Sequence, residues 1–196
     1  MRASLLRNTL LALVASLGVL GLAPVAESQA GSPGPATATT PVMAIVAECA
    51  NPQLPPAILD GAGPAPGSLP LTVITATAPS VALHLAVAAD ENARELGLMC
   101  VTRLAPQHGM IFVFDRSSDQ EFWMKNTLIP LDMLWVAPDG TVTSVAADVP
   151  ASTRSTPDDK VARRLGHGRF VIELPSGEAA RDGITKGTRL DLPHFP

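Results

Sequence analysis

The sequence predicts a mainly β domain, a single antiparallel β-sandwich or partly closed barrel with two short helices. Three observations predict it. Short branched or aliphatic runs recur from residue 71 to residue 192, which is strand composition. Turn-forming Pro, Gly, Asp and Ser separate those runs, and only two places carry helix-start chemistry.

Leu71 to Ala76 and Val81 to Ala88 read as the first two strands, parted by Pro79-Ser80. Asp90 then suits an N-cap and Glu91 the positive first turn of a helix. Ala93, Leu96 and Leu98-Met99 give that helix an apolar side, and Gly97 ends its regular part. Met110 to Phe114 is wholly apolar, as in a core strand or the wall of a closed sheet. Asp115 to Gln120 reads as a turn and Glu121 to Lys125 as a new short strand. Pro130 constrains the approach to the strand Leu131 to Ala137. Pro138-Asp139-Gly140 is a hairpin turn, because glycine tolerates the backbone angles required, and Thr141 to Val145 returns. Ala146 to Gly168 is polar and reads as a mobile loop or as carrying a short helix near Lys160 to Leu165. Arg169 to Leu174 resumes β-structure. Pro175-Ser176 opens a compact helix through Arg181 with Gly183 as its C′ residue, and Thr188 to Leu192 supplies a last strand.

The first 30 residues read as a secretory signal peptide. Arg2 and Arg7 form a positive start, Leu10 to Leu22 an apolar run, and small residues such as Ser28 and Ala30 follow. The run is short for a bilayer span, which takes roughly 20 apolar residues. Periplasmic or secreted localisation follows, without stable membrane insertion after cleavage. Residues 31–69 are rich in Pro, Gly, Ala, Ser and Thr and read as a disordered or extended leader. Residues 70–193 form the folded unit, a sensible size for one domain.

Cys49 and Cys100 form a possible disulfide in an oxidising compartment. Pairing would close a loop of about 50 residues and contribute about 4 kcal/mol in the chain-entropy model. Equally, Cys100 suits a buried thiol beside Met99. The formal charge is −4, and losing Arg2, Arg7 and Glu27 with the signal leaves −5. An acidic balance argues against nucleic acid as a partner. Arg163, Arg164, His167 and Arg169 make a local basic cluster that reads as solvated surface. His84, His108, His167 and His194 lack metal-ligand spacing, so no metal site is read, and no cofactor fingerprint is present.

The chemistry concentrates between Gly109 and Gly140, where Trp123, Lys125, Asn126 and Asp132 are the ligand-binding candidates. Trp123 offers an aromatic face. Lys125 and Asp132 would form an ion pair at the mouth of a pocket if the Thr127 to Pro130 turn folds them together, with Asn126 as donor and acceptor. A structural pair fastening the turn is the plainer alternative. No complete catalytic template is present, so no catalytic residue is assigned. The preferred reading is a binding or accessory module for a small polar ligand or an envelope component. Alternatives are a hydrolase-like enzyme using Asp132 and Lys125, and a structural domain whose partners dock on an edge strand.

Several blocks match one family. They are GLM at Gly97 to Met99, GMIFVF at Gly109 to Phe114, FWMKNTLIPLD at Phe122 to Asp132, APDG at Ala137 to Gly140, and ELPSGEAARDGITKG at Glu173 to Gly187. In order and spacing the chain resembles the family called domain of unknown function 192. The resemblance implies a small, mostly antiparallel β-domain, commonly exported, and implies no reaction. Cys100-Val101 departs from the commoner form, where an aromatic residue and an arginine follow GLM, and Ser176 stands for the usual alanine.

Overall fold

Branched and aromatic side chains favour extended backbone, and in the computed structural model, which describes residues 73–196, they form six strands. These are β1 (Val73–Thr77), β2 (Ala82–Ala88), β3 (His108–Trp123), β4 (Leu131–Val136), β5 (Val142–Val149) and β6 (Arg163–Pro175). Two short helices, α1 (Glu91–Leu96) and α2 (Glu178–Arg181), and a 3-10 turn at Asp158–Lys160 complete the elements. The expected signal peptide and leader, with Cys49, lie outside the described residues.

The strands form one open sheet in the order β1-β2-β3-β6-β4-β5. All neighbours run antiparallel except β2 and β3, which are parallel. A parallel pair needs a crossover, and the connection from β2 to β3 carries α1. The mainly β class with two short helices is therefore as the sequence indicates, with a mixed sheet.

Side chains alternate across the sheet, and both faces are covered. Ala86, Met110, Phe112, Met133, Trp135 and Val171 point to one face, beneath α1 and the chain that follows it. Leu85, Ile111, Leu134, Ile172 and Leu174 point to the other, against Ala179 of α2, Ile184 and Leu190. Burying a side chain such as Phe112 contributes about 2–3 kcal/mol, so each face holds its covering segment through apolar contact.

Asp90 caps α1, accepting the Ala93 amide at 2.9 Å, and Gly97 follows at φ 46°. A Cβ at Gly97 would meet the Phe112 ring at 3.3 Å, so glycine lets the helix end rest on that ring. The Pro138-Asp139-Gly140 hairpin joins β4 to β5, with Gly140 at φ 85°. Three details differ from the sequence reading. Ala146 to Gly168 is not one loop: β5 runs on to Val149 and β6 begins at Arg163, held extended by pairing with β4 and β3, and the helical turn between them is Asp158–Lys160 rather than a helix near Lys160 to Leu165. β3 continues through Asp115 to Gln120, because Ser118 to Trp123 pair with Gly168 to Arg163, and the register shift between Val113 and Ser118 absorbs the irregularity there. Near the C-terminus only two isolated bridges form, Thr77 with Asp191 and Thr141 with Arg189.

Candidate functional site

Lys125, Asn126 and Thr127 follow the end of β3 and close a tight turn, in which the Thr127 amide donates to Met124 O at 3.1 Å. Asn126 adopts φ 52°, a left-handed conformation that asparagine tolerates better than most residues. Its carbonyl accepts the Cys100 amide at 2.9 Å, and Ser152 N–H donates to Thr127 O at 2.8 Å. Asn126 is buried, its amide nitrogen 4.0 Å from Met99 Sδ. It fastens the turn to neighbouring loops.

Asp132 lies elsewhere. It pairs in register with Leu174 and so faces the α2 side of the sheet. Fully buried, its two carboxylate oxygens accept the amides of Asp148 and Ala179, each at 2.9 Å. The Ser176 hydroxyl in turn donates to Asp148. These bonds satisfy backbone donors that burial would otherwise leave unpaired. Lys125 forms its ion pair with Asp158, not with Asp132. The expected convergence of that amine and that carboxylate is thus replaced by two separate structural contacts. The turn ends too far from the α2 face, which Asp132 enters because strand alternation puts it opposite Met133.

Lys125 and Trp123 do share a hollow, on the α1 face. It is lined by Arg94 to Met99, by Phe112, Phe122, Trp123, Lys125 and Thr127, and by Glu173 of β6. Its volume is about 40 Å³. One water needs roughly 10–15 Å³ of such space, so the hollow has room for a small polar head group. Phe112 and Phe122 meet edge to face at 4.8 Å and form an aromatic wall. Trp123 is 40% exposed at the mouth, with the Arg163 guanidinium 4.8 Å from its ring centroid.

Glu173 is the residue that sequence reasoning passed over. It is 5% exposed, between Met110 of β3 and Met133 of β4. Its carboxyl has no hydrogen-bond or ion-pair partner among the described residues, and it opens onto the hollow. Burial disfavours the charged form and pushes its pKa from 4.5 to about 8. A single acid within the apolar run Phe170 to Leu174 was the available signal, because an unpaired buried carboxyl costs stability and invites a functional explanation.

The remaining candidates are accounted for locally. Cys100 is buried. The basic cluster is dispersed among partners: Arg163 pairs with Glu121 at 3.1 Å, His167 Nδ1 lies 2.7 Å from Asp119, and Arg169 donates to Phe114 O at 3.1 Å. Among the described residues no group of three His, Cys, Asp or Glu side chains is placed to hold a metal ion, and no helix is long and apolar enough to cross a membrane.

Comparison with known proteins agrees with this architecture. No curated protein matches the chain. A solved protein from Sinorhizobium meliloti 1021, described as a candidate transcription regulator, is 32% identical with a TM-score of 0.57, over 64% of this chain and 97% of its own. A protein of unknown function from Novosphingobium aromaticivorans DSM 12444 is 30% identical with a TM-score of 0.54, over 71% of this chain and 98% of its own. The family described as uncharacterized ACR, domain of unknown function 192, matches residues 72–192. With every described strand inside that match, the chain belongs to the domain of unknown function 192 family.

Proposed function

We propose that this protein is an exported binding module that holds a small polar group of a ligand or envelope component in the α1-side hollow. One observation carries the reading: the Glu173 carboxyl is almost wholly buried, has no partner among the described residues and opens onto space walled by Phe112 and Phe122. Small-ligand sites combine apolar walls with a few polar groups that fix orientation. Trp123 and Lys125 stand at the rim, as two of the four candidates read from the sequence. Asn126 contributes by holding the turn, and Asp132 by anchoring the opposite face.

The export element rests on the positive start, apolar run and small residues of the first 30 positions. A hydrolase built on Lys125 and Asp132 draws no support from the geometry, since both carboxylate oxygens of Asp132 are held by amides on the far face. A regulator of transcription, suggested by the Sinorhizobium protein's description, draws no support from a formal charge of −4, which offers DNA no general attraction.

The test is recovery of the protein from periplasmic extract, followed by native mass spectrometry of the wild type and of Trp123→Ala and Glu173→Gln. The reading expects a small bound species on the wild type that both variants lose while remaining folded. Equal recovery of that species on all three proteins would place binding elsewhere.

A further inference from the structure

We infer that the guest of this hollow is a primary alkylammonium group, seated between the Glu173 carboxylate at the floor and the aromatic ring of Trp123 at the mouth. The inference rests on the binding reading above and names the ligand class. It follows from which lining charges are already engaged.

Four charged residues line the hollow: Arg94, Glu95, Lys125 and Glu173. Both cations are committed. Arg94 donates to Val113 O at 3.0 Å and to Ala89 O, and its guanidinium lies 5.3 Å from the Phe114 ring centroid. Lys125 pairs with Asp158. Neither acid has a partner among the described residues, Glu95 exposed on the rim and Glu173 at the floor. Two carboxyls therefore remain to receive a guest, and both favour a cation over an anion.

The remaining features narrow the cation. The walls are aromatic, and ring faces attract ammonium groups. The space of about 40 Å³ admits a small head group. The rim, with exposed Trp123 and Glu95, leaves an exit for an alkyl tail. A primary ammonium also supplies the hydrogen-bond donors that the Glu173 oxygens lack.

Proton release accompanies such binding. Burial keeps Glu173 protonated near neutral pH, and a cation beside it favours the ionised form. The groups facing it are Arg94 and Glu95 of α1 and Lys125 after β3, while its strand neighbours Met110 and Met133 do not titrate. Affinity for the amine therefore rises about tenfold from pH 6 to pH 7 and levels off above about pH 8. For so small a probe, Kd on the order of 1 mM is expected.

The experiment uses the full chain, with amide NMR shifts of Gly97, Leu98 and Trp123 as the readout. The probes are n-butylammonium, N-acetyl-lysine amide, acetate and acetamide. The inference expects shifts with butylammonium or the lysine amide, at least tenfold weaker binding to Glu173→Gln, and tighter binding as pH rises from 6 to 8. Binding of butylammonium alone identifies a free small amine as the source. Binding of the lysine amide alone identifies a peptide side chain. Should Glu173→Gln fail to fold, Glu95→Gln and the wild-type pH series carry the same test. In that case Glu95→Gln weakens binding several-fold, and an affinity flat with pH overturns the inference. Shifts with acetate or acetamide but neither amine would overturn the ammonium class and leave the hollow a binding site. Silence from all four probes would overturn both.

Discussion

Glu173→Gln isolates the energetic consequence of a buried, unpaired acid. In the folded protein the Glu173 pKa is raised from 4.5 to about 8. Between those values the native state binds a proton that the unfolded state has released, so stability falls as pH rises through this window. Each unit corresponds to 1.36 kcal/mol, which amounts to about 3 kcal/mol at pH 7 and about 5 kcal/mol above pH 8. These are upper figures, because water entering the hollow offsets part of the desolvation. Glutamine keeps the shape and cannot ionise. Urea unfolding of both proteins from pH 4 to pH 9 should therefore give similar stabilities at the acid end. By pH 7 the variant should be the more stable by up to about 3 kcal/mol. Curves that stay parallel across the range would refute the reasoning, since they would mean that Glu173 ionises normally in the fold.

Other substitutions test the scaffold around the hollow. Asp132→Ala leaves the buried amides of Asp148 and Ala179 without acceptors. Chemical denaturation should show a loss of about 2–4 kcal/mol, with amine binding retained wherever the protein stays folded. Gly166→Ala would place a Cβ 2.2 Å from the Trp135 ring. A thermal melt should report a loss of at least 1–3 kcal/mol, roughly the cost of overpacking, alongside a changed tryptophan emission. Lys125→Ala removes a pair whose Asp158 partner is 69% exposed, so urea unfolding should detect a change of about 1 kcal/mol or less. Cys49 and Cys100 should appear as one cross-linked peptide in a non-reducing digest of protein prepared under oxidising conditions; two separately alkylated cysteines would exclude the bridge.

Local signals in the chain specified much of the framework. The Asp90 cap, the Gly140 hairpin and the end of the second helix at Gly183 all depend on residues within a few positions of one another. Asp115 to Gln120 misled because its composition is that of a turn, whereas pairing with β6 keeps Ser118 onward extended. Tertiary pairing overrides propensity there. That Trp123 and Lys125 line one hollow was legible because the strand end and its turn place them together. Asp132 was not, since a strand buried on both faces carries no polar alternation to say which side a residue takes. Glu173 was hidden for a related reason: its meeting with α1 joins residues almost 80 positions apart in the chain, a separation that no spacing rule spans.

Site-resolved carboxyl NMR titration of Glu173 in the unliganded protein tests the central claim most directly. A midpoint near pH 8 is the expected result, reflecting an acid held neutral at the floor of the hollow. A midpoint near 4.5 would contradict it, showing a solvated or already paired carboxylate with no need of a guest.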